Sequence, residues 1–450
     1  MDSLVAARLQ MGLSLGFHII FAVIGMAMPV MMVVSEFLWL RTKNPAYLDL
    51  TKRWAKGTAI LFAVGAVSGT VLSFELGLLW PRFMQWAGPI IGMPFSLEGF
   101  AFFLEAIFIG VYLYGWERVS PRAHLFAGIV VAVSGALSGI FVVTVNSWMN
   151  TPAGFEILNG QVVNVDPIAA MFNPAAGVQV THMLLAAYMA VGFGVAGIHA
   201  RWLLVDPKHP FHRAALSVAL IVAIIPTLLQ PLSGDRAAKK VAETQIAKFA
   251  AMEGHFETGA WAPLRLGGWP DVDARETKWA IDIPGGLSFL AKGDPSAIII
   301  GLNDIPTQNW PMVPWVHVSF QVMVGCGMAL AALAVWTMWL AWRRRLFESR
   351  PALRALVIAT PLGFIAIEAG WMVTELGRQP WIVQGVMRTA DAVTPMPGLV
   401  WSLAGVIAIY TLLTVVVVSL MRRLVAETRP SRSPSPNPNR SPRRGSRTSN

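Results

Sequence analysis

Long apolar runs recur along the chain, separated by breaks rich in charge, proline or glycine. A helix needs roughly 20 apolar residues to cross a bilayer. The runs read as spans at about 12–40, 57–80, 96–116, 125–147, 177–200, 214–232, 313–341, 355–376 and 396–421. The pattern predicts an all-α integral membrane protein with about nine transmembrane helices in a bundle. It also divides the chain into six helices (1–232), a long break (233–312), three helices (313–421) and a tail (422–450).

Composition agrees with this pattern. Hydrophobic residues make up 55% of the 450 and charged residues 13%, and the mean hydropathy is +0.56. That is more apolar surface than one soluble core can use. The net charge of +10 does not imply nucleic acid, because residues 422–450 hold eight arginines against Glu427 alone. This Pro/Ser/Arg-rich tail is expected to be disordered and suited to touching anionic lipid headgroups.

Charge also orients the bundle. The break at 41–56 carries Arg41, Lys43, Lys52, Arg53 and Lys56 against Asp49, and 342–354 carries five arginines against Glu348. Such loops are expected to be cytoplasmic. The breaks at 117–124 and 201–213 are basic and fall on the same side, while 148–176 has Glu156 and Asp166 and no Lys or Arg. The N-terminus is then outside and the C-terminus cytoplasmic. No basic leader or cleavage site precedes the first span, which should stay as a helix. The break at 233–312 becomes an extracytoplasmic loop with a helix-like stretch at about Arg236–Glu257 and four tryptophans suited to the outer interface.

Ionisable side chains inside spans are costly and therefore functional candidates. They are His18, Glu75, Glu98, Glu105, His182, Glu368 and Glu375. On this topology His18, Glu98, His182, Met323 and Glu375 all lie near the outer ends of their helices and could share one layer. Each also has a plainer reading. His18 and His182 fit hydrogen-bonded structural imidazoles as well as metal ligands, and Met323 fits ordinary packing. Glu375, close to Arg378, fits an ion pair at a helix end. Glu98 and Glu105 are seven residues apart and share a helix face at about 10 Å, a spacing suited to a proton relay or to two bonds with neighbouring helices. The single cysteine, Cys326, rules out an internal disulfide, a Cys-x-x-Cys redox pair and haem attachment through Cys-x-x-Cys-His. There is no P-loop, Gly-x-Gly-x-x-Gly turn, His-Glu-x-x-His or nucleophile elbow.

The motifs carry a resemblance. Gly370-Trp371-Met372-Val373-Thr374-Glu375-Leu376-Gly377-Arg378-Gln379-Pro380-Trp381 resembles the signature of subunit I of the cytochrome bd-type quinol oxidases. Gly16-Phe17-His18, Ser73-Phe74-Glu75-Leu76-Gly77, the stretch Glu98 to Glu105, Asn146-Ser147-Trp148-Met149 and Met323-Val324-Gly325 are similar in the same order, from about residue 8 to 420. The resemblance implies that His182 and Met323 are axial ligands of a low-spin haem b, and that His18 and Glu375 ligate two high-spin haems. These would be one haem b and either haem d or a third haem b. A His/Met pair closes both axial positions and suits electron transfer, whereas a single ligand leaves iron open to O₂. Glu98 and Glu105 would pass protons from the cytoplasm, and Arg378 would balance haem propionates or Glu375.

The stretch Lys248-Phe249-Ala250-Ala251-Met252-Glu253-Gly254-His255 resembles the family's quinol-binding loop in its short form, with Lys248 and Glu253 as quinol contacts. Without the resemblance it reads as a solvated amphipathic helix. Gln321 departs from the arginine that many relatives carry there, and a neutral amide cannot offset charge as a guanidinium does. The family also implies a smaller partner, subunit II, and the inner (cytoplasmic) membrane of a bacterium. Two other classes compete with the oxidase. A proton-coupled transporter would show paired halves with interrupted helices, and a non-catalytic haem-bearing paralogue would lack oxygen uptake.

Overall fold

A computed structural model describes residues 2–429; the rest of the basic tail lies outside the described residues. Local chemistry sets the helix boundaries. Helices α1 (Ser3–Thr42) and α2 (Pro45–Leu79) meet at a tight turn, where Lys43 is left-handed (φ 56°) and the Asn44 side chain accepts from the Ala46 N–H at 3.0 Å. Pro45 fills the first helical position, where a missing N–H costs nothing. Helices α3 (Pro81–Tyr114) and α4 (Pro121–Asn150) also open on proline, α4 behind a Ser120 cap.

A hairpin of β1 (Glu156–Leu158) and β2 (Gln161–Val163) and the short helix α5 (Pro167–Met171) lead to α6 (Ala176–Leu203) and α7 (Pro210–Thr244). The chain bends at Gln245 into α8 (Ile246–Met252). The expected loop helix at Arg236–Glu257 is thus divided, its first part being the last turns of α7.

Two nested hairpins follow, in which β3 (Leu264–Leu266) pairs with β6 (Ile281–Ile283) and encloses the pair β4 (Trp269–Asp271) and β5 (Glu276–Lys278). Helices α9 (Gly286–Lys292) and α10 (Val313–Trp342) come next. Helices α11 (Arg350–Ala359) and α12 (Leu362–Arg378) form one span, broken at Thr360–Pro361 because Pro361 has no N–H for the ladder. The pair β7 (Trp381–Val383) and β8 (Met387–Arg388), the short α13 (Thr389–Ala392) and α14 (Leu399–Ala426) complete the order.

Among the described residues, nine helical spans are long and apolar enough to cross a membrane. The fold is all-helical in its membrane part, as the apolar pattern predicted. Helices α2 and α3 start at Pro45 and Pro81, earlier than expected from 57 and 96: α2 continues through charged residues such as Lys52 and Arg53, and α3 runs on through Pro89 and Pro94, which the sequence pattern marks as a break. Only one span is interrupted among the described residues, so the paired breaks expected of a transporter are absent.

Helix α6 is central: 67% of its apolar window is buried, against 17% for α2. Small residues allow its neighbours to approach closely. A Cβ built on Gly192 would stand 2.6 Å from Ala223 of α7, and one on Gly363 of α12 would stand 2.3 Å from the Ala190 backbone. Phe100, Phe103 and Ile107 of α3 are more than half exposed, as lipid-facing side chains are. The long segment after α7 caps one end of the bundle, here termed the loop end. The opposite end carries the short connections 43–44, 115–120, 204–209 and 343–349 and is termed the basic end.

Candidate functional site

The predicted residues lie at the loop end and in the part of the bundle that adjoins it, the upper bundle. His182 of α6 and Met323 of α10 line one cavity of about 620 Å³. Glycine clears its wall beside each of them: a Cβ on Gly234 would lie 3.5 Å from His182 Cε1, and one on Gly370 would lie 3.0 Å from Met323 Sδ. The Gln230 amide nitrogen lies 3.2 Å from His182 Nε2. The same cavity extends to Lys248, Glu253, Arg265 and Gln321.

Lys248 and Glu253 belong to α8 and its cap. The helix ends in a Schellman turn, in which His255 N–H bonds Ala250 O (2.8 Å) and Gly254 N–H bonds Ala251 O (3.2 Å). Gly254 must take the left-handed conformation (φ 59°), and a Cβ there would stand 2.6 Å from Thr277 Oγ1. Its carbonyl accepts from Arg265 Nη1 (3.0 Å) and Thr277 Oγ1 (2.7 Å), so the hairpins clamp the turn. Gln321 clamps it from α10: its Nε2 donates to Arg265 O and its Oε1 accepts from the Gly267 N–H, both at 3.0 Å.

Lys248 and Glu253 are each 4% exposed. Burial, reinforced by the nearby Arg378 charge, pulls the Lys248 ammonium down to about 7, against the opposing pull of Glu375. Burial pushes the Glu253 carboxyl up to about 7, with the Arg265 cation opposing. His255, also buried, is held down to about 4 by burial and then by Arg265.

A hydrogen-bonded line joins this turn to α12. Lys248 Nζ donates to Asn150 Oδ1 at 2.6 Å, Asn150 Nδ2 donates to Asn146 Oδ1 at 3.1 Å, and Asn146 Nδ2 donates to Glu375 Oε1. Glu375 Oε2 pairs with Arg378 Nη2. Arg378 is 3% exposed, and its Nε and Nη1 find no partner among the described residues. Two donors of a buried guanidinium thus remain for an anionic group.

His18 of α1 sits apart from this cavity, with Nδ1 3.0 Å from Ser68 Oγ of α2. Ser68 Oγ is placed to donate to Val64 O or Gly65 O. On that assignment His18 Nδ1–H donates to the serine and Nε2 keeps its lone pair, the form that binds a metal. Gly69 leaves room, since a Cβ there would lie 3.0 Å from His18 Cε1. One turn-pair from Glu375 on α12, Glu368 faces Gly16 of α1, with its Oε2 3.2 Å from the Gly16 Cβ position. Glu75 accepts from Gln10 Nε2 at 2.9 Å.

On α3, Glu98 accepts from Ser138 Oγ of α4 at 3.0 Å, while the buried Glu105 faces Gly25 of α1 and Gly135 of α4. The helix-to-helix bond anticipated as the plainer reading therefore exists for Glu98. Sequence reasoning passed over Asn146 and Asn150 as functional links, Arg265, Gln230, and a buried pair of Glu36 with His124. Glu36 lies inside the first apolar run, so the rule that found His18 could have found it.

Nine membrane-length helices, with a cavity among them lined by an imidazole, a thioether and a carboxylate, define a polytopic membrane protein. Residues 6–429 match the family described as cytochrome bd terminal oxidase subunit I, and the chain belongs to that family. It is 40% identical over 401 residues to the putative cytochrome bd menaquinol oxidase subunit I of Bacillus subtilis (strain 168), covering 88% of this chain and 90% of the relative. The cytochrome bd ubiquinol oxidase subunit 1 of the same organism is 33% identical over 407 residues, covering 88% and 87%. The structure of bd oxidase from Geobacillus thermodenitrificans matches with a TM-score of 0.88 at 40% identity, covering 95% of this chain and 99% of that one. The protein is a subunit of a terminal respiratory oxidase, a haem enzyme class that passes electrons from quinol to O₂.

Proposed function

We propose that this subunit oxidises quinol at the loop end, in the cavity bounded by Lys248 and Glu253, and holds three haems in the upper bundle. The observation that carries the reading is that His182, Met323, Lys248 and Glu253 line one continuous cavity. An imidazole and a thioether, each beside a glycine that clears the wall, fit a low-spin haem b. His18, with its free Nε2, and Glu375 fit one protein ligand each for two high-spin haems, one haem b and one haem d or a third haem b. Arg378, with two unused donors, is suited to a propionate as well as to Glu375. When bound, haem would supply electron transfer where His182 and Met323 hold it and O₂ reduction where His18 or Glu375 holds it.

The chain's own side chains handle quinol and protons. Lys248 and Glu253 bind the head group, and the Glu253 carboxylate, already close to neutrality in its affinity for protons, accepts a quinol O–H proton and releases it on its own side. Glu105 and Glu98 hold and pass protons toward the oxygen-reducing side. The loop end is extracytoplasmic, the basic end and the C-terminus are cytoplasmic, and the N-terminus is outside, following the charges of the connections. Turnover then separates charge without a pump. The division into six helices, quinol loop, three helices and tail belongs to this reading, as do a smaller subunit II and residence in a bacterial inner membrane.

The test is a dithionite-reduced minus air-oxidised spectrum with haem extraction and oxygen uptake, on the complex purified in mild detergent. Three haems per complex and quinol-dependent uptake are expected. A complex without haem overturns the ligand assignments.

A further inference from the structure

Glu36, His124 and Tyr112 form a buried group that the reading above does not use. Glu36 of α1 stands 2.8 Å from His124 Nδ1 of α4, and His124 Nε2 stands 2.9 Å from Tyr112 O of α3. A carbonyl only accepts, so Nε2 carries a hydrogen and donates it. One further hydrogen lies between Nδ1 and the Glu36 carboxylate, on either atom. Glu36 and Tyr112 are 0% exposed and His124 2%. The Tyr112 hydroxyl faces the Glu36 carboxylate, yet neither it nor Glu36 Oε2 completes a hydrogen bond of good geometry among the described residues. As a mere clamp this is a poor choice, since packed apolar residues often stabilise as well as a buried ion pair.

Its position suggests a use. Glu98, Glu105 and Tyr112 follow one another at intervals of seven on α3, one helix face in steps of about 10 Å. Glu105 lies against Gly25 of α1 and Gly135 of α4. Glu36 and His124 sit eleven residues further toward the basic end on those same two helices, about 16 Å away along the axis. The Trp116 ring covers His124 at 3.9 Å, and the ammonium of the exposed Lys52 lies 5.1 Å from the Trp116 ring. One aromatic layer thus separates the pair from the surface of the basic end.

We propose that Glu36, His124 and Tyr112 are the proton-loading site at the basic end of the Glu105–Glu98 line, an inference that rests on reading those two carboxylates as a proton path. A proton from water at that end joins the one already shared, giving a carboxylic acid beside an imidazolium. The Glu36 O–H bond then breaks toward the Tyr112 hydroxyl, which takes that proton and gives up its own toward Glu105. No electron changes hands, and the step from Tyr112 to Glu105 spans about 10 Å, or about three hydrogen-bonded waters.

The experiment uses the complete oxidase with its partner, in proteoliposomes, as E36Q, E36D, Y112F and E105Q. It reads kcat for quinol-driven O₂ reduction, KM for quinol, the solvent deuterium isotope effect on kcat, and the reduced-minus-oxidised spectrum. Glu36→Gln is expected to lower kcat at least about tenfold, with KM and spectrum as in the wild type and a larger isotope effect. Glu36→Asp should restore most of the rate, and Tyr112→Phe should raise the isotope effect with a smaller loss. If E36Q does not assemble, Y112F, which keeps the Glu36–His124 bond, decides. Retention of wild-type kcat and isotope effect in E36Q and Y112F, with E105Q impaired, overturns the loading site alone. An unimpaired E105Q refutes the line through Glu105 and the loading site with it.

Discussion

Replacing Glu253 by glutamine tests the proposed quinol cavity most directly, because burial of this carboxyl sets where its pH dependence falls. Burial raises this carboxyl from its ordinary 4.5 to about 7. Holding it charged there costs about 3 kcal/mol more than in water, at 1.36 kcal/mol per unit. If the carboxylate accepts the quinol proton, only its deprotonated form works, and the acid limb of kcat/KM moves up to about pH 7. An ordinary carboxylate would leave the profile flat above pH 6. Lys248, lowered to about 7, loses its charge over the same range, so the wild-type profile becomes a narrow bell. The product of the two fractions falls about threefold one pH unit either side of its maximum. Glu253→Gln should lower kcat/KM by about a hundredfold and remove the acid limb, so that the residual rate rises modestly from pH 7 to pH 6 where the wild type falls. Arg265 opposes the upward shift, so Arg265→Gln should move the acid limb to higher pH and Arg265→Lys should leave it in place. Steady-state oxygen uptake across pH 5.5–9 reads all of this. An acid limb that survives in E253Q would refute the assignment.

The other expectations follow from single contacts. Gln321→Ala removes two hydrogen bonds between α10 and the β3 hairpin, about 1 kcal/mol each; limited proteolysis near residues 265–268 should speed up and quinol KM should rise while kcat stays close to wild type. Gly254→Ala forces a side chain into a left-handed turn with Thr277 Oγ1 2.6 Å away, costing about 1–3 kcal/mol; thermal unfolding of the detergent-solubilised complex should show the lower midpoint. His182→Ala should lower the haem count by one per complex on extraction. Gly370→Leu should do the same without replacing a ligand, because its Cβ would already stand 3.0 Å from Met323 Sδ.

The apolar runs made the spans legible because membrane burial acts on every residue of a run. Their ends were not legible where a helix runs on through residues such as Lys52 and Arg53, whose stems and charges belong to the interface. Candidate site residues were legible wherever a costly residue stood inside a run, as His18, Glu105 and His182 do. It was illegible where the function of a side chain depends on a partner far along the chain. Asn150 is an ordinary residue until Lys248, 98 positions away, donates to it. Gln321 looked like a lost cation; in the structure its two amide ends bind Arg265 O and the Gly267 N–H, and an amide offers the acceptor that a guanidinium lacks.

That same line explains which cation gives way. Lys248, Arg378 and Glu375 stand close enough to affect one another, with two positive groups against one negative. A guanidinium does not lose its proton under ordinary conditions, whereas a lysine ammonium yields readily when buried. Arg378 already pairs with Glu375, so neutral Lys248 leaves the cluster balanced and charged Lys248 leaves it in excess by one. On the proposed reading, a quinol oxygen that gives up its proton to Glu253 becomes an anion in the same cavity, and the ammonium of Lys248, its proton taken from water, is the cation that balances it. On that reading, quinol binding and charge balance around Glu375 are coupled through Lys248, whose charge Arg378 opposes and Glu375 favours.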